Sequence, residues 1–152
     1  MPISLTIPDG YGYTVIIALG IIPILAIGQG AVVTTLRKPA KVPYPNAYAT
    51  PEQVKSSKEA YKFNCAQRAH GNLLENMPAA IATLLFAGLF YPQASPILGL
   101  VWVVSRALYA YGYITSEKPD GKGRAFGGLG GFFWIAQLGL IGLAMSAASR
   151  ML

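Results

Sequence analysis

Residues 10–36 read GYGYTVIIALGIIPILAIGQGAVVTTL and carry no formal charge. Residues 76–105 and 125–149 are likewise free of Asp, Glu, Lys and Arg. An α-helix needs about 20 apolar residues to cross the hydrocarbon core of a bilayer, so the first and last stretches each fit one span. The segment FYPQASP at residues 90–96 divides the middle stretch into two. The sequence therefore predicts an all-α integral membrane protein with four transmembrane helices.

The four helices are expected at about 13–36, 57–90, 96–115 and 124–149, within a single domain spanning residues 1–152. The second helix has two possible starts, because residues 50–53 (TPEQ) and 56–59 (SSKE) both resemble helix-capping sequences. Charged residues make up 12% of the chain, about half the share in soluble globular domains. A single cysteine argues against a disulfide scaffold, and the lone histidine is not a metal site.

Basic residues are concentrated in two of the predicted loops. The first loop carries Arg37, Lys38, Lys41, Lys55 and Lys58, and the third carries Lys118, Lys122 and Arg124. Because cytoplasmic loops of membrane proteins are rich in Lys and Arg, loops 37–56 and 116–123 are predicted to face the cytosol, with both termini on the opposite side. The net charge of +6 does not indicate nucleic-acid binding, since these residues flank membrane segments.

Polar side chains also fall inside the predicted second helix. Around an α-helix, Asn72 and Glu75 lie within about 40° of Arg68, and Asn76 lies about 80° away. One reading is that these groups join helices, with Glu75 paired to an arginine. The other is that they line a pocket, because ionised groups in a membrane helix must be offset by pairing or by function.

The predicted third helix has a second polar face. Tyr109 and Tyr113 lie on the same side as Arg106, towards the cytosolic end. Glu75 alone cannot neutralise both Arg68 and Arg106, so the surplus positive charge favours an anionic partner. Two faces with both charge signs are suited to a zwitterionic ligand.

Two motifs connect the chain to a known family. Residues 63–78 (FNCAQRAHGNLLENMP) resemble the R-A-x-x-N-x-x-E-x-x-P signature of the membrane-associated proteins in eicosanoid and glutathione metabolism, the MAPEG family. Residues 105–113 (SRALYAYGY) resemble its R-x-x-Y-x-x-G-Y motif. Residues 41–45 (KVPYP) resemble the loop of the microsomal glutathione transferase type 3 branch. The resemblance spans roughly residues 37–128.

This resemblance implies a homotrimer of four-helix protomers, which bind glutathione between subunits near the cytosolic face of the endoplasmic reticulum, or alternatively of the outer mitochondrial membrane. It implies transfer of glutathione to lipophilic electrophiles, often with peroxidase activity on lipid hydroperoxides, and leukotriene-C-synthase-like activity is a further possibility within the family. The glutathione-binding positions fall on Arg37, Arg68, His70, Asn72, Glu75, Asn76, Arg106, Tyr109 and Tyr113. Asn76 departs from the leukotriene C synthase branch, which has tyrosine there.

The expected co-substrate is glutathione, with no metal, and its thiol reacts as the thiolate. A neighbouring arginine lowers a thiol pKa, and the resemblance implies such an arginine beyond the third helix. Arg124 is our choice for this role, with Lys122 as the competitor. The alternative function is a non-catalytic lipid-binding or scaffold protein, like the lipoxygenase-activating protein of the same family.

Overall fold

The computed structural model describes residues 6–116 and 118–152, and these residues form helices and turns with no strand. The helices are α1 (Tyr11–Arg37), α2 (Pro51–Ser56), α3 (Lys58–Phe90), α4 (Ala94–Thr115) and α5 (Phe132–Ser149). Residues Pro119–Gly131 form the glycine-rich segment, a run of 3-10 turns with kinks. Together with α5 it makes the fourth stretch long and apolar enough to cross a membrane, after α1, α3 and α4. The all-α prediction with four membrane spans is confirmed.

Helix α1 contains a π-helical turn at Ile17–Ile21, just before Pro23. Proline has no N–H to donate to the preceding turn, and π-helical turns accommodate such interruptions. Ile17 and Ile22 are both buried although they are five residues apart, a spacing that places side chains about 140° apart on an α-helix. The wider π turn brings them to the same face, against α3 and α4.

Both predicted starts of the second span are used. Thr50 and Gln53 form a capping box at the start of α2. Ser57 then has extended backbone geometry, and its hydroxyl accepts a hydrogen bond from the Ala60 N–H at the start of α3. A short, separately capped helix therefore precedes the long helix.

Helix α3 is central, since it packs against α1, α4 and α5. The core between these helices is built from aliphatic and aromatic residues: Ile17, Ile22, Leu73, Leu84, Trp102, Phe133 and Leu140. The outward faces of α1 and α5 expose large apolar side chains such as Ile27 and Leu138. These faces suit contact with lipid, where exposure of apolar side chains carries no penalty.

The regular part of the fourth span begins at Phe132, later than the expected start near Arg124. Gly127 and Gly128 adopt positive φ angles of 65° and 96°, which glycine reaches without strain and which interrupt a helix. The glycine-rich segment instead folds back and packs closely on α4. The contact is so close that a Cβ on Gly112 would collide with the carbonyl oxygen of Gly123. Arg124 thus lies in an irregular segment rather than on an α-helix.

Candidate functional site

Arg68 and Glu75 form an ion pair on one face of α3. The Arg68 Nη1 donates to Glu75 Oε1 at 2.7 Å, and Nη2 donates to Oε2 at 3.3 Å. The two side chains keep 45% and 55% of their surface exposed. Because exposed ion pairs add little stability, a ligand that carries both charges can replace this pair at low cost. The pairing of Glu75 with an arginine is thus seen within one helix.

Asn72 links this exposed pair to a buried cation. Its Nδ2 donates to Glu75 Oε2 at 3.4 Å, while its Oδ1 accepts from Arg106 Nη1 at 2.6 Å. Arg106 is 1% exposed, and its Nε and Nη2 have no hydrogen-bond partner. Its guanidinium lies 3.5 Å from the centroid of the Phe133 ring, a cation–π contact that offsets part of the cost of burial. The site therefore contains a cation that is only partly satisfied by the chain.

The two tyrosines of the α4 motif extend the site towards the glycine-rich segment. The rings of Tyr109 and Tyr113 meet edge to face at 5.6 Å. The Arg106 guanidinium lies 5.9 Å from the Tyr109 ring centroid, and that of Arg124 lies 5.9 Å from the Tyr113 ring centroid. Tyr109 and Tyr113 thus form a tyrosine row, which lies between the Arg106 and Arg124 guanidinium groups along one side of α4.

Arg124 and Lys122 occupy different surroundings. Arg124 Nη1 donates to the carbonyl oxygens of Asp120 and Gly121, at 3.1 and 3.2 Å. Lys122 Nζ lies 3.9 Å from Asp120 Oδ2 in an exposed pair, and it lines a separate cavity of about 430 Å³ with Phe126. Arg124 is thus the one of the two that lies beside the tyrosine row.

The remaining predicted residues do not join this group within the chain. The Arg37 guanidinium donates to the carbonyl oxygens of Val42 and Asn46 and lies 4.2 Å from the centroid of the Tyr44 ring. His70 packs against α1, where a Cβ added to Gly30 would lie 3.6 Å from the imidazole. Since residue 70 lies about 160° from residue 68 around α3, the two face different sides of that helix.

Asn76 turns back onto its own helix, where its Nδ2 donates to the Asn72 carbonyl oxygen at 2.8 Å. No cluster of three or more His, Cys, Asp or Glu residues suited to a metal occurs within residues 6–116 and 118–152.

Sequence reasoning missed two residues that shape the site. Phe133 covers the Arg106 guanidinium, and nothing in the apolar sequence of α5 marks it out. Tyr61 is hydrogen-bonded to the glycine-rich segment. Its signal is the spacing, because Tyr61, Arg68 and Glu75 follow one another at intervals of seven residues and so share a helix face.

Similarity to known proteins identifies the family of the chain. The sequence matches the model of the MAPEG family over residues 15–146. It is 36% identical over 98 residues to a human protein, microsomal glutathione S-transferase 2. That alignment covers 64% of this chain and 64% of the relative's length, slightly less than two thirds. The family match covers most of the chain, including both motifs and most of each apolar span, so the protein belongs to the MAPEG family and is an integral membrane protein.

Proposed function

We propose that the protein is a membrane glutathione transferase, which joins the glutathione thiolate to lipophilic electrophiles. The observation that carries this proposal is the connected polar row from the exposed Arg68–Glu75 pair, through Asn72, to the buried Arg106. Glutathione has two carboxylates and one ammonium, so this row offers a partner for each kind of charge. The similarity to a microsomal glutathione S-transferase supports the same assignment.

In the proposed complex, the guanidinium of Arg68 releases Glu75 and binds a glutathione carboxylate in a bidentate manner. Glu75 then binds the ammonium group of the ligand. The unpartnered Nη2 and Nε of Arg106 add positive charge beneath the ligand, close to Asn72, whose amide is suited to a peptide group. Tyr109 and Tyr113 direct their hydroxyls to the ligand and their rings to apolar surroundings.

The distribution of residues supports a site between copies of the chain. His70 faces a different side of α3 from Arg68, and the Arg37 guanidinium is bonded to its own loop, so the described contacts of one chain do not gather all the expected residues around one tripeptide. We propose a homotrimer in which these two residues face Arg68, Asn72 and Glu75 of a neighbouring subunit. We also propose that the end of the bundle that carries Arg68 and Arg124 faces the cytosol, and that the membrane is the endoplasmic reticulum.

Arg124 is proposed to stabilise the thiolate. The thiol of glutathione has an unperturbed pKa of about 8.5, and a guanidinium within about 4–6 Å favours the charged form. The thiolate sulfur then attacks an electrophilic carbon, forms the C–S bond and displaces the leaving group with its electron pair. With a lipid hydroperoxide, two glutathione molecules are oxidised to the disulfide while the hydroperoxide becomes an alcohol and water. Both acceptors are lipophilic and reach the site from the bilayer.

A variant pair tests the role of Arg124. Arg124→Ala should abolish most of the thiolate absorbance of bound glutathione and lower kcat with an aryl halide, whereas Lys122→Ala should leave both near the wild-type values. A lipid hydroperoxide assayed in parallel separates transferase from peroxidase activity. Unchanged thiolate absorbance and kcat in Arg124→Ala would show that another group activates the thiol.

One observation favours the second candidate, a non-catalytic lipid-binding or scaffold protein. The Arg37 guanidinium is already bonded to carbonyl oxygens of its own loop, and Arg68 and Glu75 satisfy each other. Calorimetry distinguishes the two candidates, because a scaffold protein should bind lipid and show no heat of glutathione binding.

A further inference from the structure

The hydroxyl of Tyr61 closes the turn that precedes Arg124 onto α3. It donates a hydrogen bond to the Lys118 carbonyl oxygen at 2.9 Å and accepts one from the Gly121 N–H at 2.9 Å. A phenol offers one donor and can accept as well, so one hydroxyl uses both capacities on the two ends of the same turn. These contacts join positions 57 and 60 residues apart in the sequence.

The opposite side of the same turn packs against Tyr113. A Cβ on Gly121 would lie 2.7 Å from Cε1 of the Tyr113 ring, and the φ angle of Gly121 is +63°. Glycine alone fits this combination of backbone geometry and close ring contact. The turn at residues 118–121 is thus held between the hydroxyl of Tyr61 and the ring of Tyr113.

The Arg124 side chain is attached to this turn. Its Nη1 donates to the carbonyl oxygens of Asp120 and Gly121, so the location of the guanidinium follows the location of those two carbonyls. A shift of the turn therefore moves the positive charge away from the tyrosine row. Because charge–charge interaction energy falls with distance, such a shift weakens any effect on a bound anion.

We propose that Tyr61 is a positioning residue for Arg124: its two hydrogen bonds fix the turn from which the guanidinium faces the glutathione thiolate. This inference rests on the proposed function of Arg124. Tyr61 acts on the thiol through the turn and does not itself contact the sulfur. A purely structural role would affect all properties of the site, whereas a positioning role affects the thiol selectively.

The test is Tyr61→Phe in the full-length protein in detergent, since this change removes the hydroxyl and retains the ring. The pKa of the bound thiol, followed by the pH dependence of thiolate absorbance, should rise by about half a unit or more. The glutathione dissociation constant, measured by calorimetry at a pH where the thiol stays protonated, should change less than about twofold. The matched control is Tyr91→Phe, which removes a 2.8 Å hydroxyl contact with Ser146 at the other end of the bundle and should change neither value.

A second measurement does not depend on glutathione. Hydrogen exchange of the peptide that contains Gly121 should be about tenfold faster in Tyr61→Phe, and unchanged in Tyr91→Phe, because the Gly121 N–H loses its acceptor. If wild-type protein forms no thiolate, the proposed function fails while the exchange measurement still tests the hydrogen bonds. Unchanged exchange or an unchanged thiol pKa overturns the positioning role. So does a glutathione dissociation constant that rises by the same factor as the acid dissociation constant of the thiol falls.

A second variant serves if Tyr61→Phe does not fold. Gly121→Ala pushes the turn from the opposite side, because its Cβ meets the Tyr113 ring at a positive φ angle. It should raise the thiol pKa in the same direction, and an unshifted thiol pKa in this variant would contradict the proposal.

Discussion

Replacing Asn72 by leucine should destabilise the protein by more than the loss of one hydrogen bond, because it strands the Arg106 cation. Arg106 is 1% exposed, and the 2.6 Å bond from its Nη1 to Asn72 Oδ1 is the hydrogen bond that its guanidinium makes. Its Nε and Nη2 have no hydrogen-bond partner among the described residues. Removing the acceptor of a hydrogen bond from a charged, buried donor costs about 1.5–3 kcal/mol. The cation–π contact with Phe133 is retained in the variant, so it does not contribute to this difference. Because Arg106 is almost wholly buried, we expect a loss at the upper end of that range, about 2–3 kcal/mol.

The assay is thermal unfolding in a mild detergent without glutathione, followed by near-ultraviolet circular dichroism. For a chain of this size, the expected loss corresponds to a fall in Tm of about 5–10 °C. The matched control is Asn76→Leu, which removes only the 2.8 Å bond from Nδ2 to the Asn72 carbonyl oxygen on the same helix. It should cost clearly less than Asn72→Leu.

A double-mutant cycle isolates the contact between the two side chains. Arg106→Met combined with Asn72→Leu removes the charge together with its partner, so the double variant should be more stable than Asn72→Leu alone. A coupling energy below about 0.5 kcal/mol would refute the reasoning, as would a cost for Asn72→Leu no greater than that for Asn76→Leu.

Two further predictions follow from close contacts and charge. Gly88→Ala should destabilise the protein by about 1–3 kcal/mol in the same thermal assay, because its Cβ would lie 2.6 Å from Cγ2 of Thr14. Adding Thr14→Ala should restore most of that loss, and a double variant as unstable as Gly88→Ala would exclude this contact as the cause. Glu75→Gln should weaken glutathione binding about tenfold or more by calorimetry, since it removes the proposed partner of the ammonium group. Glu59→Gln is the control, and equal affinities of the two variants would argue against that role.

The sequence was sufficient to predict the membrane spans because they follow from charge placement. A stretch such as residues 10–36 leaves few alternatives to a membrane helix when no charged residue interrupts it. The stripe of Arg68, Asn72 and Glu75 was also predictable from helical spacing. Their mutual bonding within a single helix was less so, because both arginines were candidates to pair with Glu75.

The start of the fourth span could not be placed from composition. Arg124 is a plausible charged end of a membrane helix, but Gly127 and Gly128 take positive φ angles that stop a regular helix before Phe132. Clustered glycines signal that such angles are available without showing which residues adopt them. The burial of Arg106 under Phe133 depends on helix packing, which local sequence does not encode.

The π-helical turn at Ile17–Ile21 has a consequence for how homologous first spans are aligned. It acts as a one-residue insertion that resets the rotational register of everything after it. A helical wheel drawn through the whole of α1 as one ideal helix would therefore misassign the second half by about 100°. Buried Gln29 would be drawn towards the wrong neighbour. Deleting one residue from this turn would restore a continuous α-helix and leave the half-helix that leads to Arg37 facing the same neighbours.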